Sequence, residues 1–196
     1  MLIDAYKSSM SFLSALPETG FRGRSATAVL NQLLSGSSKT VETISMVEDF
    51  DYGSLRLQVE VEDCRDAIQK AADILIDKGC ITQGYVSEMN EAFDELGPYF
   101  VLAPGMAFAH SRPSESVLRT ALSMITLKQP VCFGSETNDP VFLVCVIAST
   151  DAQGHVDQLK RIARFLADQE HVKMLRQARS DQDKRAVVDE LNKGGI

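Results

Sequence analysis

Histidine is the scarcest side chain in this sequence that can change its protonation near neutral pH, and its three copies are His110, His155 and His171. His110 ends a short apolar stretch that begins after Gly105. His155 follows the apolar run Val141–Ala148, at the start of a predicted helix. With a reference pKa of about 6.5, an imidazole can serve as a base, a nucleophile or a metal ligand at neutral pH. His171 lies between charged residues on a late predicted helix, and we interpret it as a solvated surface residue.

Two histidines that each follow a strand could meet at one end of a sheet. Three kinds of chemistry stay open for such a pair, namely a metal site, an acid–base pair, or a nucleophile with a supporting donor. A metal-dependent hydrolase is the weakest hypothesis, because no third ligand stands at a convincing spacing. The sequence contains neither a GxxxxGK[ST] loop nor a kinase signature set, so nucleotide-dependent kinase chemistry has no support. Each histidine is also compatible with a purely structural role.

Composition narrows the classes of protein. A chain of 196 residues with 44% hydrophobic and 24% charged residues indicates one globular domain, or one domain with an appendage. A net charge of −7 disfavours general nucleic-acid binding, so we predict no nucleic-acid partner. No apolar run approaches the roughly 20 residues that a transmembrane helix needs. The four cysteines form no CxxC pair, and with no export signal we expect a cytoplasmic protein.

The elements that must position the histidines are predicted from residue 46 onward. Residues 1–45 differ in composition, and we predict an N-terminal extension with one short helix near residues 25–34. Residues 46–196 alternate between strand and helix patterns, which predicts an α/β layered sandwich with a mixed central sheet flanked by helices. Val141–Ala148 is apolar without alternation, as expected of a central strand covered on both faces. The other main predicted elements are a half-buried strand over Leu55–Val61, a helix capped by Asp63, a helix over Tyr85–Leu96 with Leu96 facing inward, a strand over Ala121–Leu127, and a last helix opened by a Ser180–Asp183 capping box.

Four separated stretches carry a resemblance to a known family, and they occur in that family's order. They are Gly97–Gly105, the His110–Pro113 turn, Asn138–Val141 and Asp151–His155. Together they resemble the enzyme IIA component of the bacterial phosphotransferase system, and within its mannitol/fructose class they are most similar to the ascorbate-type branch. The resemblance covers roughly residues 47–193 but not the first 45. It implies the mannitol-type enzyme IIA fold.

The resemblance also implies a function and its partners. His110 would accept a phosphoryl group from the phosphocarrier HPr and pass it to a cysteine of enzyme IIB, with a membrane enzyme IIC acting later. His155 matches the supporting histidine of the family. From their own chemistry, the Ser111 hydroxyl and the Arg112 guanidinium are candidate phosphate contacts, and the family motif also has Arg at the position of Arg112. The substrate would be ascorbate or a related sugar acid or polyol. Because the phosphoryl donor and acceptor are proteins, no cofactor, nucleotide or metal is required. A phosphorylation-dependent regulatory module of the same fold is the alternative, and a homodimer stays open for either.

The chain departs from the family pattern on both sides of His110. Ala109 stands where the family usually has Pro, and Ser111 where it has Gly or Ala. If the N–H of Ala109 is unpaired and its φ already suits Pro, Ala109→Pro is expected to stabilise the fold. At the end of a strand we expect the imidazole to be exposed on a rigid base. We also expect backbone N–H groups of the turn to serve as donors to the phosphoryl oxygens.

Overall fold

The computed structural model describes residues 50–193, apart from the side chains of residues 152–157. The predicted extension over residues 1–45, with its short helix, lies outside the described residues. A single 3-10 turn opens the described part of the chain. The strands are β1 (Leu55–Val59), β2 (Met106–Ala109), β3 (Ala121–Val131) and β4 (Val141–Ala148), and the helices are α1 (Cys64–Asp77), α2 (Gln83–Leu96), α3 (Ala152–Ala167), α4 (Gln169–Gln177) and α5 (Asp181–Lys193). None of these described helices is long and apolar enough to cross a membrane.

The strands form one mixed sheet in the order β1-β3-β4-β2. β1 is parallel to β3, β3 is antiparallel to β4, and β4 is parallel to β2. All residues of β4 are buried, which follows from its inner place in the sheet and from the helices on both faces. The predicted α/β sandwich with a mixed central sheet and a central Val141–Ala148 strand is therefore confirmed.

Each face of the sheet has its own apolar core. On one face, α1 and α2 bury residues such as Ile68 and Met89 together with Val144 of β4. On the other face, α3, α4 and α5 bury residues such as Leu175 together with Cys145. Neighbouring residues of β4 thus contribute to opposite cores, because successive side chains of a strand point to opposite faces.

Local capping signals act as predicted. The Asp63 side chain accepts hydrogen bonds from the N–H groups of Arg65 and Asp66 and so caps α1. Ser180 N–H donates to Asp183 at 2.9 Å, and Asp183 N–H donates back to Ser180 Oγ at 3.2 Å, which is the predicted capping box.

Two details of the predicted elements are wrong. Leu96, placed on the inner stripe of α2, is 49% exposed. The alternating residues of the first strand do not share one face either, since Leu57 packs against one core and Val59 against the other. The reason is a bulge at Gln58, which has a φ of 57° where the pairing of β1 with β3 shifts register.

Candidate functional site

The parallel pairing of β2 and β4 brings the segments of two histidines to one edge of the sheet. Ala109, the last residue of β2, pairs with Val146 near the end of β4. His110 follows β2 directly, and His155 lies in the first turn of α3, which follows β4. The side chain of His155 lies outside the described residues, so its contact with His110 stays a prediction.

The ring of His110 is buried and held by its own chain. His110 is only 3% exposed, and its Nδ1 lies 2.7 Å from the carbonyl oxygen of Phe108. Because a carbonyl oxygen can only accept, Nδ1 carries the proton, and in the neutral ring the lone pair is on Nε2. The Tyr99 ring meets the imidazole edge-on at 5.5 Å between centroids. The expectation of an exposed imidazole is therefore wrong, because these neighbours enclose the strand end.

Burial also favours the neutral form of the His110 ring. Removal of the ring from water lowers its pKa below the usual 6.5, and the hydrogen bond to Phe108 opposes this as the smaller effect. The ring is therefore neutral at neutral pH. A neutral imidazole with its lone pair on Nε2 is a competent nucleophile or base.

Two tyrosine hydroxyls hold the peptide group that joins His110 to Ser111. Tyr99 Oη donates to the carbonyl oxygen of His110 at 2.6 Å. The N–H of Ser111 donates to Tyr85 Oη at 3.0 Å, and Tyr85 Oη donates in turn to the carbonyl oxygen of Ile147 at 2.8 Å. Sequence reasoning missed both hydroxyls. For Tyr85 the available signal was its inward position on α2, since a buried phenol needs a hydrogen-bond partner.

These bonds correct two expectations about the turn. The N–H of Ser111 already donates a hydrogen bond to Tyr85, so this N–H group is not available to a phosphoryl oxygen. The N–H of Phe108 donates to Phe100 on the side away from β4. Successive N–H groups of a strand point to opposite sides, so the N–H of Ala109 faces β4. The condition under which Ala109→Pro would stabilise the fold is not met, because Pro would remove a donor from the sheet.

The loop after His110 lies on the start of α2. Ser114 and Ser116 each donate a hydroxyl hydrogen bond to Glu88, both at 2.7 Å. The N–H of Thr82 donates to the carbonyl oxygen of Ser116 at 2.9 Å. The preceding residues of the turn, Ser111 and Arg112, are half-buried and exposed respectively. A well-anchored loop therefore presents both predicted phosphate contacts at the same edge as His110.

His171 lies elsewhere, in α4, and is not the solvated residue that the sequence predicted. Its side chain is 21% exposed, and its ring stacks on Phe165 with centroids 4.5 Å apart and planes 8° from parallel. Its Nδ1 is 2.9 Å from the carbonyl oxygen of Phe165, and its Nε2 is 3.7 Å from Glu190. His171 therefore links helices rather than facing water.

Metal-ligating groups do not gather in the described part of the chain. Among those residues, no group of three or more His, Cys, Asp or Glu could hold a metal ion. Cys145, in the middle of β4, is fully buried, and burial raises the pKa of its thiol well above the usual range. The interpretation of Cys145 as a buried thiol is confirmed.

Comparisons with known proteins agree with this fold. The family model of the phosphoenolpyruvate-dependent sugar phosphotransferase system, EIIA 2, matches residues 50–191. The ascorbate-specific PTS system EIIA component of Shigella boydii serotype 4 is 36% identical over 140 residues, which are 71% of this chain and 91% of that protein.

Solved structures show the same architecture. The mannitol-specific cryptic phosphotransferase enzyme IIA of Escherichia coli superposes with a TM-score of 0.64 at 27% identity, and the match covers 71% of this chain and 94% of that one. The complex of the mannitol enzyme IIA with phosphorylated enzyme IIB from Escherichia coli gives a TM-score of 0.63 at 21% identity, covering 72% of this chain and 97% of that one. This second likeness supports the fold.

The matched region includes all four described strands, His110 and both tyrosines that hold its peptide group. The match thus extends over most of the chain, and the mannitol-type sandwich agrees with it. On this evidence the chain belongs to the EIIA 2 family of the phosphoenolpyruvate-dependent sugar phosphotransferase system, as its sequence resemblance predicted.

Proposed function

We propose that this phosphotransferase-system component accepts a phosphoryl group from HPr on Nε2 of His110 and passes it to a cysteine of an enzyme IIB. The observation that carries the proposal is the state of the His110 ring. Burial keeps the ring neutral, and the Phe108 carbonyl oxygen holds the proton on Nδ1. The lone pair is therefore on Nε2, the atom that would attack phosphorus.

The transfer needs two displacements at phosphorus. In the first, the Nε2 lone pair of His110 forms a bond to phosphorus while the bond from phosphorus to HPr breaks, and HPr keeps that electron pair. The positive charge that the ring gains lies next to the Phe108 carbonyl oxygen. In the second, a thiolate of enzyme IIB attacks phosphorus, and the electron pair of the breaking bond returns to Nε2. No nucleotide, metal or cofactor takes part in either step.

Groups around His110 supply the charge stabilisation. A phosphoryl group in transit spreads negative charge over three equatorial oxygens, so catalysis depends on positioning and on donors aimed at those oxygens. We assign donor roles to His155, to the Ser111 hydroxyl and to the Arg112 guanidinium. Arg112 offers a planar fork of N–H groups that suits phosphate. The exposure of Arg112 at this edge supports its assignment.

Relatives support the choice of partners and substrate. The Shigella boydii relative is named as ascorbate-specific, which favours uptake of ascorbate or a related sugar acid or polyol through a membrane enzyme IIC. The mannitol enzyme IIA, solved in complex with phosphorylated enzyme IIB, supports an enzyme IIB as the acceptor here. With HPr and enzyme IIB as partners, a cytoplasmic location is part of this proposal. Residues 46–196 form the phosphocarrier domain in this proposal, and residues 1–45 are an extension to it.

Reconstituted phosphotransfer tests the proposal. We expect phosphoenolpyruvate, enzyme I and HPr to place an acid-labile phosphoryl group on the protein, and an ascorbate-type enzyme IIB to remove it. His110→Ala should abolish labelling, whereas His171→Ala, the matched control, should label like the parent. An unlabelled parent protein, or undiminished labelling of His110→Ala, would reject the assignment. A label that no enzyme IIB removes would favour the regulatory module.

A further inference from the structure

One peptide group beside the candidate nucleophile is hydrogen-bonded to tyrosine hydroxyls at both its carbonyl oxygen and its N–H. Its carbonyl oxygen, on His110, accepts from Tyr99 Oη at 2.6 Å. Its N–H, on Ser111, donates to Tyr85 Oη at 3.0 Å. We call Tyr85 and Tyr99, with this peptide group between them, the tyrosine clamp. The two tyrosines come from separate parts of the fold, because Tyr85 lies in α2 and Tyr99 precedes β2.

The clamp limits the movement of His110 more than either bond would alone. Rotation of this peptide group about its neighbouring single bonds would break both hydrogen bonds, so the backbone on the C-terminal side of His110 is restrained. The imidazole is set separately by the bond from Nδ1 to the Phe108 carbonyl oxygen at 2.7 Å. Main chain and ring are thus both restrained, and the direction of Nε2 follows from them.

Tyr85 also joins the clamp to the neighbouring strand. Its side chain is 1% exposed, and its hydroxyl donates to the carbonyl oxygen of Ile147, near the end of β4. β4 leads directly into α3, the helix that carries His155. One buried hydroxyl therefore connects the turn after His110 to the strand that precedes the helix of His155.

We propose that Tyr85 and Tyr99 are positioning residues for phosphoryl transfer at His110. This inference rests on the proposed function. Neither hydroxyl needs to touch the phosphoryl group, since the clamp acts by holding Nε2 in line for attack. Placement of this kind carries much of a phosphoryl-transfer rate, and a displacement of about 1 Å at a reacting centre can cost roughly a hundredfold.

A purely structural role makes a different prediction. Buried polar groups are normally hydrogen-bonded, so both hydroxyls could serve only to satisfy the peptide group. In that case their removal would lower stability but leave transfer by the folded fraction unchanged. The maximal rate of transfer, normalised to the final amount of label, separates the two roles because it counts only protein that can react.

The test removes single hydroxyls and keeps the rings. Tyr85→Phe and Tyr99→Phe are compared with Tyr52→Phe, whose hydroxyl donates to Asp181 at 2.9 Å in an exposed position away from His110. Single-turnover labelling by phosphorylated HPr is followed over a range of HPr concentrations. Each clamp variant should lose roughly tenfold to a hundredfold in maximal rate, while the HPr concentration giving half the maximal rate stays within about twofold. Tyr52→Phe should match the parent.

Imidazole resonances give a readout that does not depend on transfer. We expect the His110 ring signals to broaden or shift in Tyr99→Phe, and to stay unchanged in Tyr52→Phe. Tyr99→Phe decides the question if Tyr85→Phe fails to fold. A folded Tyr99→Phe variant that is labelled at the parent rate would overturn the positioning role of the tyrosine clamp, even though the parent is labelled. A parent that is not labelled at all would instead overturn the proposed function.

Discussion

His110 and His171 have similar first contacts in two different regions of the molecule. Both rings approach a main-chain carbonyl oxygen with Nδ1, at 2.7 Å for His110 and 2.9 Å for His171. Both also pack on an aromatic ring, Tyr99 edge-on for His110 and Phe165 face-on for His171. A bond from Nδ1 to a carbonyl oxygen next to an aromatic ring therefore does not by itself identify a reactive histidine.

The regions differ in what surrounds those contacts. His171 lies within a helix, and its Nε2 faces the Glu190 carboxylate at 3.7 Å. His110 directly follows a strand, at the edge of the sheet where β4 also ends, and its following peptide group is clamped. Burial lowers the pKa of His110 and so favours its neutral form. The contrast teaches that position at a strand end, together with a restrained main chain, distinguishes the candidate nucleophile from the helix-linking histidine.

The comparison of His110 with His171 can be sharpened by replacing His155, whose segment lies at the same edge of the sheet as His110. This replacement is expected to have the largest effect, and the effect is on the rate of phosphoryl transfer. His155→Ala should fold and still accept phosphate, but transfer it to enzyme IIB about 10²–10³ times more slowly, since one donor to the phosphoryl oxygens is lost. His171→Ala is the control and should transfer at the parent rate. The measurement is the loss of label from the phosphorylated protein after addition of enzyme IIB. An unchanged rate for His155→Ala would remove His155 from the site.

A smaller effect concerns the pH dependence of stability. The pKa of His110 lies below its usual 6.5 in the folded protein. As the pH falls below about 6.5, the unfolded chain binds a proton at His110 that the folded protein does not, so stability decreases with falling pH. This contribution is fully present above that pH and is lost as the pH falls toward the lowered pKa. Its slope is at most about 1.4 kcal/mol per pH unit.

Urea unfolding at pH 7.5, 6.5 and 5.5 measures this contribution. Relative to His110→Gln, the parent protein should lose free energy of unfolding as the pH falls through this range. His171→Gln keeps His110 and should retain the contribution. Parallel pH profiles for the parent and His110→Gln would show that burial does not hold His110 neutral.

The smallest effect is expected when residues 1–45 are deleted. Phe50 is hydrogen-bonded to the last helix, α5, through Asn192. The N–H of Phe50 donates to Asn192 Oδ1 at 2.8 Å, and the carbonyl oxygen of Phe50 accepts from Asn192 Nδ2 at 3.1 Å. The shortened protein should unfold cooperatively within about 2 °C of the parent and should be labelled as fast. Deletion through Phe50 is the matched control and should lower the melting temperature. Insolubility, or loss of the cooperative transition, in the first variant would show that the N-terminal segment completes the core.

Several features of this protein follow from the sequence because the interactions behind them are local. The Asp63 cap and the Ser180–Asp183 capping box each join residues at most three positions apart. The apolar run Val141–Ala148 predicts a strand with two covered faces, whatever its neighbours are. Residue type and the place of His110 after a short apolar stretch make it only a candidate, whereas the ordered motifs around it are sufficient to recognise the family.

Tertiary structure alone decides how His110 is held. Tyr85 is 26 residues from Ser111 along the chain, and Tyr99 is 11 residues from His110, so no helical or strand periodicity relates them. The burial of His110 and its lowered pKa likewise depend on packing around the strand end. The link from His171 to Glu190 exists only because α4 and α5 pack together. Local patterns predict elements because their energies act between neighbours in sequence, whereas a site forms from groups that only the folded chain brings together.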